Sequence, residues 1–566
     1  MMKTIKESFV ELDARSRAKA VLDKGTFREI VGPFDQLESP HLAPQGIVPQ
    51  SDDGVIVARG TIGGQSAVVV SIEGNFQGGG IGEVAGSKIA GAFELALRDN
   101  EAGIRTRPVL LFDTGGVRLQ EANYGLLSIA EIGAAIVALR KYVPVAGVIP
   151  GKIGSFGGMS ITAGLCSALI MTREGRLGLN GPEVIEQEAG IEEFDSADRQ
   201  LIWNTIGGAQ RLAAGFVDEL VEDDVTAITE ALKVVFEKGN NDKPRSSQVE
   251  IYRSLLKAVN PSQPLTPAGL QEIWRQLQDK NNRVEITETA LISDESGSES
   301  RGRTWFKALT GRSGPEAGEV LSVLCADTML GKERVRYIAV VPNPSSRFPR
   351  ARQGEVGLEE GWAIAQYVRE AVEEDEDGDR RVIVAIVDVP SQAYGYREEL
   401  LGIHQACAAA VDAYATARLV GHPVIALIVG NAISGAFLSH GLQANRILAL
   451  NDHDVNVQAM SKQSAARITR RTIQELEEAT KKVPAMAYDI QSFATLGALH
   501  ELIDGVNADT PGDGDCDRIH DKLSEAIMSV RSASRDLSNR LLSPEAQNGG
   551  RAASIQVRKK MAEQWI

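Results

Sequence analysis

This chain has few cysteines, few aromatic residues and no long uncharged apolar run. The four cysteines, Cys166, Cys325, Cys407 and Cys516, stand far apart among 566 residues with no CxxC pair, which excludes a zinc ribbon and a dithiol redox centre. Isolated thiols of this kind are expected to be buried or unreactive in a reducing compartment, here the cytoplasm. Aromatics make up 5% of the residues, and 76 acidic against 60 basic side chains give a net charge of -16. Such a surface repels a phosphate backbone and builds no base-stacking platform, so nucleic acid is excluded as a partner. No uncharged apolar run approaches the roughly 18 residues a membrane helix needs. The opening MMKTIKESFVELDARSRAKAVLDKG has no apolar export core, so neither a membrane nor an export signal is expected. The seven histidines form no HExxH or other close ligand pair, so no metal is expected. Without a G-x-S-x-G around Ser155 or Ser434 there is no nucleophile elbow.

Glycine, in contrast, is abundant at 56 residues and gathers after apolar runs. With 43% hydrophobic and 24% charged residues the composition is that of a globular protein with a substantial core. Val55 to Ile62 and Gln65 to Ser71 read as strands around Gly63-Gly64, a pair suited to a tight hairpin. GGGIGEV then leads into a helix, VLLFD ends at Asp113, a helix follows from about Ile129 to Lys141, and PVAGVI precedes GKIGSFGGMS. Gly80 to Ala85 satisfies G-x-G-x-x-A, yet it follows a hairpin and lacks the acidic residue a dinucleotide site needs.

The second half runs through the same order of events. Strands around Val320 to Asp327 and Val335 to Val341 precede Gly354-Glu355-Val356, set against Gly82-Glu83-Val84; RVIVAIVD ends at Asp388, and PVIALIV precedes GNAISGAFLS. Landmarks in the two halves lie 272 to 279 residues apart, the drift that short insertions leave in a duplicated domain. SDESGSES has a linker's composition, which puts the boundary near Asp294 and the domains at 1–293 and 294–566. The polar tail from about Ser543 is expected to fray.

In each half a strand runs through glycines into a helix, whose first N–H groups lack intrahelical acceptors and suit a developing negative charge. Gly157-Gly158 and Gly435-Ala436 are the candidate donor pairs, with Ser155 and Ser434 beside them; tight turns alone would give the same spacing. Asp113 to Arg118 ends the neighbouring strand, where Gly115 and Gly116 let a substrate cross the backbone. Arg118 either pairs with a substrate carboxylate or phosphate, or forms a structural ion pair. His404 and His440 are acid-base candidates or satisfied core histidines. Arg467, Arg470 and Arg471, and also Arg347, Arg350 and Arg352, form basic patches that are either a solvated face or a site for an acidic carrier protein or phosphorylated arm.

At these residues the chain resembles the carboxyltransferase branch of the crotonase superfamily. Asp113 to Arg118 is similar to its DSGGAR-type motif, Gly157-Gly158 to its first-domain glycine loop, and Ser434 to Phe437 to its second. Within that branch the halves resemble the beta and gamma subunits of biotin-independent malonate decarboxylase, with SRGRTWFKALTG as a gamma-like start. The resemblance implies an α/β fold of two tandem crotonase-like (ββα spiral) domains. It also implies decarboxylation of a malonyl thioester to an acetyl thioester and carbon dioxide, without biotin or bound cofactor. The substrate would ride on the dephospho-CoA-derived arm of an acyl carrier protein, and an acetyl-ACP:malonate acyl carrier transferase subunit would complete a higher oligomer. Gly157-Gly158 would hold the thioester oxygen, with Gly435-Ala436 opposite, between the halves. Tyr394, Tyr396, His404 and Glu121 are the proton-donor candidates. The alternatives are an acyl-CoA carboxyltransferase of a biotin-dependent carboxylase and a non-catalytic scaffold that docks a carrier.

Overall fold

Runs of β-branched residues set the strands. In a computed structural model, which describes residues 6–240, 243–279, 299–314, 320–376 and 378–566, the chain forms two units, each around one mixed sheet. The first comprises Met1–Arg245, Thr266–Arg275 and Ala553–Ile566; the second comprises Ser246–Leu265 and Gln276–Ala552. The boundary expected near Asp294 lies outside the described residues.

Unit one has β1 (Arg28–Ile30), β2 (Val55–Ile62), β3 (Gln65–Ile72), β4 (Arg107–Leu111), β5 (Ala146–Ile149), β6 (Ala168–Thr172) and β7 (Glu219–Val221), paired in that order. The hairpin of β2 and β3 is antiparallel, as its Gly63-Gly64 turn requires, and β3 to β7 are parallel. Parallel neighbours need crossovers, which the helices Glu83–Glu101 and Ala122–Leu139 supply. Every residue of the second helix is buried. Its apolar length is therefore that of a core helix, although by composition alone it would pass for a membrane span.

Unit two repeats the layout with β8 (Val323–Leu330), β9 (Glu333–Val340), β10 (Val382–Val389), β11 (Val424–Ile433), β12 (Arg446–Leu450), β13 (Asn456–Gln458) and β14 (Glu501–Ile503). The sheet order is β14-β12-β11-β10-β9-β8, with β13 on β11; only the hairpin pair β8 and β9 is antiparallel. The crotonase-like α/β architecture expected from the sequence is present in both units.

Two details depart from the sequence reading. Gly354-Glu355-Val356 is not the counterpart of Gly82-Glu83-Val84. The backbone bridge Ile81–Val117 recurs as Val356–Gln392, and the helix N-caps are Gly82 (φ -108°, ψ -156°) and Gly357 (φ -107°, ψ -157°). The matching tripeptide was a coincidence three residues out of register. The tail does not fray either, for Ala552–Gln564 is a helix in which Val557 and Met561 are buried, followed by buried Trp565. Their four-residue spacing makes one apolar stripe, masked in sequence by the charged residues around it.

Candidate functional site

Asp113, two residues beyond β4, ties the glycine loops of unit one together. Its carboxylate pairs with buried Arg17 at 2.8 Å and accepts the Ile153 N–H at 2.6 Å. The loop after β4 then runs beside the loop after β5, with Thr114 N–H donating to Gly154 O and Phe156 N–H to Thr114 O. Both loops lie past the carboxyl ends of parallel strands, where open α/β sheets collect ligands.

The closest approach is between Gly116 and Gly157. Gly116 has φ +103°, and a Cβ on it would stand 2.9 Å from Phe156 O. Gly157 has φ +55° and ψ -146°, a conformation closed to L side chains, and a Cβ there would meet Gly116 Cα at 3.2 Å. Gly158 starts the Gly158–Leu165 helix. Of the expected donor pair, Gly157 is corrected: its N–H already donates to Leu179 O at 2.9 Å. Gly158 N–H has no acceptor among the described residues, and neither has Val117 N–H, which lies 3.8 Å from the position a Gly157 Cβ would take. Motif matching passed over Val117 because only the glycines were weighed, although it lies inside the quoted motif.

Arg118 also needs correction. Its guanidinium is buried between Asp53 at 2.7 Å and Glu121 at 2.8 Å and stacks over Phe76, so it forms the structural ion pair and not a substrate contact. Burial pushes the Asp53 carboxyl up to about 6 despite Arg118. Ser155 is wholly buried in backbone bridges to Thr114 and Leu177, and its hydroxyl has no partner among the described residues. Gly115 is exposed at the loop's tip.

Unit two builds the same corner and closes it. Ser434, φ +58°, occupies the place of Gly157, and Gly435 that of Gly158 at the start of the Ser434–Ser439 helix. Gln392, by its bridge to Val356, occupies the place of Val117. Its side-chain Oε1 accepts the Gly435 N–H at 3.0 Å. Gly435 is therefore not an open donor, and Ala436 beyond it is wholly buried. The misaligned tripeptide hid Gln392 from the sequence comparison.

Of the proton-donor candidates, Tyr394 is half-buried in unit two, two residues beyond Gln392, and the others are committed or enclosed. Glu121 is buried, paired with Arg118 and bonded by the Ser39 hydroxyl at 2.5 Å. Tyr396 donates its hydroxyl to Leu265 O. His404 lies wholly buried in the Ile403–Val420 helix. His440 has Nδ1 on the Tyr414 hydroxyl and Nε2 on Ile386 O, both at 3.0 Å, and burial lowers its pKa to about 4.

Comparison with known proteins matches two families to successive parts of the chain. Residues 11–290 match the carboxyl transferase domain family and residues 351–565 the malonate decarboxylase gamma subunit family. The malonyl-S-ACP:biotin-protein carboxyltransferase MADC of Malonomonas rubra is 38% identical over 288 residues, 49% of this chain and 91% of that protein. The chain belongs to the malonate decarboxylase branch of the carboxyltransferases. It carries the beta-like and gamma-like parts in one polypeptide, and it is an enzyme of the decarboxylase and carboxyltransferase kind. The second Malonomonas rubra protein, MADD, is 40% identical over 167 residues, 29% of this chain and 57% of MADD. A chain of a Pseudomonas malonate decarboxylase hetero-tetramer, solved in complex with malonate, is 55% identical with a TM-score of 0.47, covering 47% of this chain and 97% of that one.

Proposed function

We propose that this chain removes carbon dioxide from a malonyl thioester and releases an acetyl thioester, with Gly158 N–H and Val117 N–H holding the thioester oxygen. The pair of unspent amides beside Gly116 and Gly157 carries this reading. Loss of carbon dioxide puts negative charge on that oxygen, so donors fixed there stabilise the transition state more than the ground state. Gly115 and Gly116 leave the backbone open to the acyl group, and the first turn of the Gly158–Leu165 helix adds its dipole. The malonyl group is carried on the dephospho-CoA-derived arm of an acyl carrier protein. The enzyme works in the cytoplasm in a higher oligomer with that carrier and an acetyl-ACP:malonate acyl carrier transferase.

A second reading, transfer of the carboxyl group to a biotin protein, is favoured by what MADC and MADD are named for. The bond from Gln392 to Gly435 supports release instead, because the Gly435 amide is then not free to hold a second carbonyl. Incubating the full chain with malonyl-carrier and avidin, and measuring carbon dioxide, separates the two. Release that persists with avidin supports decarboxylation; release that requires an added biotin protein sinks it. Carrier binding without turnover in either case would point to a scaffold.

The carrier is acidic by its class, and Arg467 and Arg470 stand exposed on an otherwise acidic chain. The double variant Arg467→Glu, Arg470→Glu is expected to raise KM for malonyl-carrier about tenfold with kcat little changed, and to flatten its salt dependence. An unchanged KM at low salt would place carrier docking elsewhere.

A further inference from the structure

Within this reading, the enolate left by carbon dioxide must take a proton on its α-carbon; Glu121, Tyr396 and His404 are committed to other contacts or wholly buried, and Tyr394 belongs to unit two, not to the unit with the open amides. We propose that His41 is the acid that supplies this proton, held by Glu83, which Ser554 fixes in turn.

His41 Nε2 lies 2.6 Å from Glu83 Oε2, and the ring stacks on Tyr124 with centroids 4.7 Å apart. Glu83 is buried at the first turn of the Glu83–Glu101 helix, where the dipole favours a carboxylate. Its other oxygen accepts both the N–H and the hydroxyl of Ser554 at 2.9 Å, from the C-terminal helix of the same unit. With Nε2–H given to Glu83, the half-buried ring presents Nδ1, which has no acceptor among the described residues. This is the His-carboxylate arrangement of a general acid.

Both supports of His41 neighbour Val117, the residue that carries one of the open amides. Glu83 follows Ile81, the backbone partner of Val117, by two residues, a span of about 7 Å. Tyr124 precedes Gly125, where a Cβ would stand 2.8 Å from Val117 Cγ1. Unit two supplies the contrast: after the matching N-cap Gly357 the residue in the place of Glu83 is Leu358. The carboxylate occurs only in the unit whose amides are open.

In the step, the bond between the α-carbon and the carboxylate breaks, carbon dioxide leaves, and the electron pair stays as the enolate. The α-carbon then takes the proton from Nδ1 of the imidazolium, and the neutral ring recovers a proton from water. Burial disfavours that imidazolium, but Glu83, then Glu121 and Asp53, outweigh it and raise the pKa above its ordinary value. Arg118 neutralises the last two, and the buried Lys88 ammonium is turned to Asp52 O and Val55 O.

In the full chain acting on malonyl-carrier, His41→Gln is expected to lower kcat about 10²-fold. The protonated ring is the active form, so wild-type kcat falls as pH rises through the His41 pKa, and the variant loses that limb. Glu83→Gln keeps the imidazole without its anionic partner, so its limb moves to lower pH. A merely structural role would leave the limb in place. Wild-type enzyme given acetyl-carrier in D2O should exchange the methyl protons, and His41→Gln should not. His41→Gln with wild-type kcat, limb and exchange overturns the assignment, as does a Glu83→Gln limb that does not move. A wild-type chain that neither decarboxylates nor exchanges removes the decarboxylase reading itself.

Discussion

Replacing Gly157 by valine is expected to abolish turnover of a malonyl thioester while unit one stays folded. The residue sits at φ +55°, ψ -146°, where a side chain is strained by about 1–3 kcal/mol. Its Cβ would press on Gly116 Cα at 3.2 Å and stand 3.8 Å from Val117 N. The loop can relieve this only by moving the Gly158 or the Val117 amide, and the branches of valine would lie over the place reserved for the thioester oxygen. Loss of one aimed donor costs about 3 kcal/mol of activation, or 10²- to 10³-fold; loss of both, with the pocket filled, leaves background decarboxylation. A strain of 1–3 kcal/mol is smaller than the stability of a typical domain, about 5–15 kcal/mol. Near-wild-type circular dichroism with no carbon dioxide release is therefore the expected pair of results, and normal release would refute the site. Gly157→Ala should fall between, since it brings the strain without the branches.

The strands and glycine loops were legible because they depend on local rules. The Gly63-Gly64 hairpin, the β-branched runs and the strand-end aspartates Asp113 and Asp388 all follow from pattern and turn chemistry. Which N–H groups are spent was not legible, since that depends on residues 22 and 43 positions away. Leu179 O takes the Gly157 amide and Gln392 takes that of Gly435, and neither partner lies in the glycine loop it caps. Arg118 shows the same limit. Its motif position suits a substrate carboxylate equally well, and only the fold brings Asp53, 65 residues earlier, to 2.7 Å. The His41–Glu83 contact likewise joins one histidine among seven to one carboxylate among 76, with no spacing to mark it. Its third member, Ser554, comes from a tail that composition alone reads as loose.

That ion pair sets the second large expected effect. Arg118→Ala should destabilise unit one by about 3–5 kcal/mol, because Asp53 and Glu121 are then left buried without their cation. Lys88 lies nearby, but its ammonium is held by the carbonyls of Asp52 and Val55 and is not free to replace the guanidinium. The pH dependence tests the cause. A buried carboxyl with a raised pKa contributes fully below its unfolded value near 4 and loses that contribution as pH rises through the folded value, about 6 for Asp53 in the intact network. Without Arg118 the folded value rises further, so the deficit is widest at neutral and alkaline pH and narrows as pH falls from 6 toward 4. Urea melts of both proteins at pH 4.5 and pH 8 measure this. Adding Asp53→Asn and Glu121→Gln to Arg118→Ala removes the unpaired charges and should recover much of the loss at pH 8. If Arg118→Ala is as stable as wild type at both pH values but raises KM for malonyl-carrier, the guanidinium faces the substrate after all and the two carboxylates are neutralised by other means.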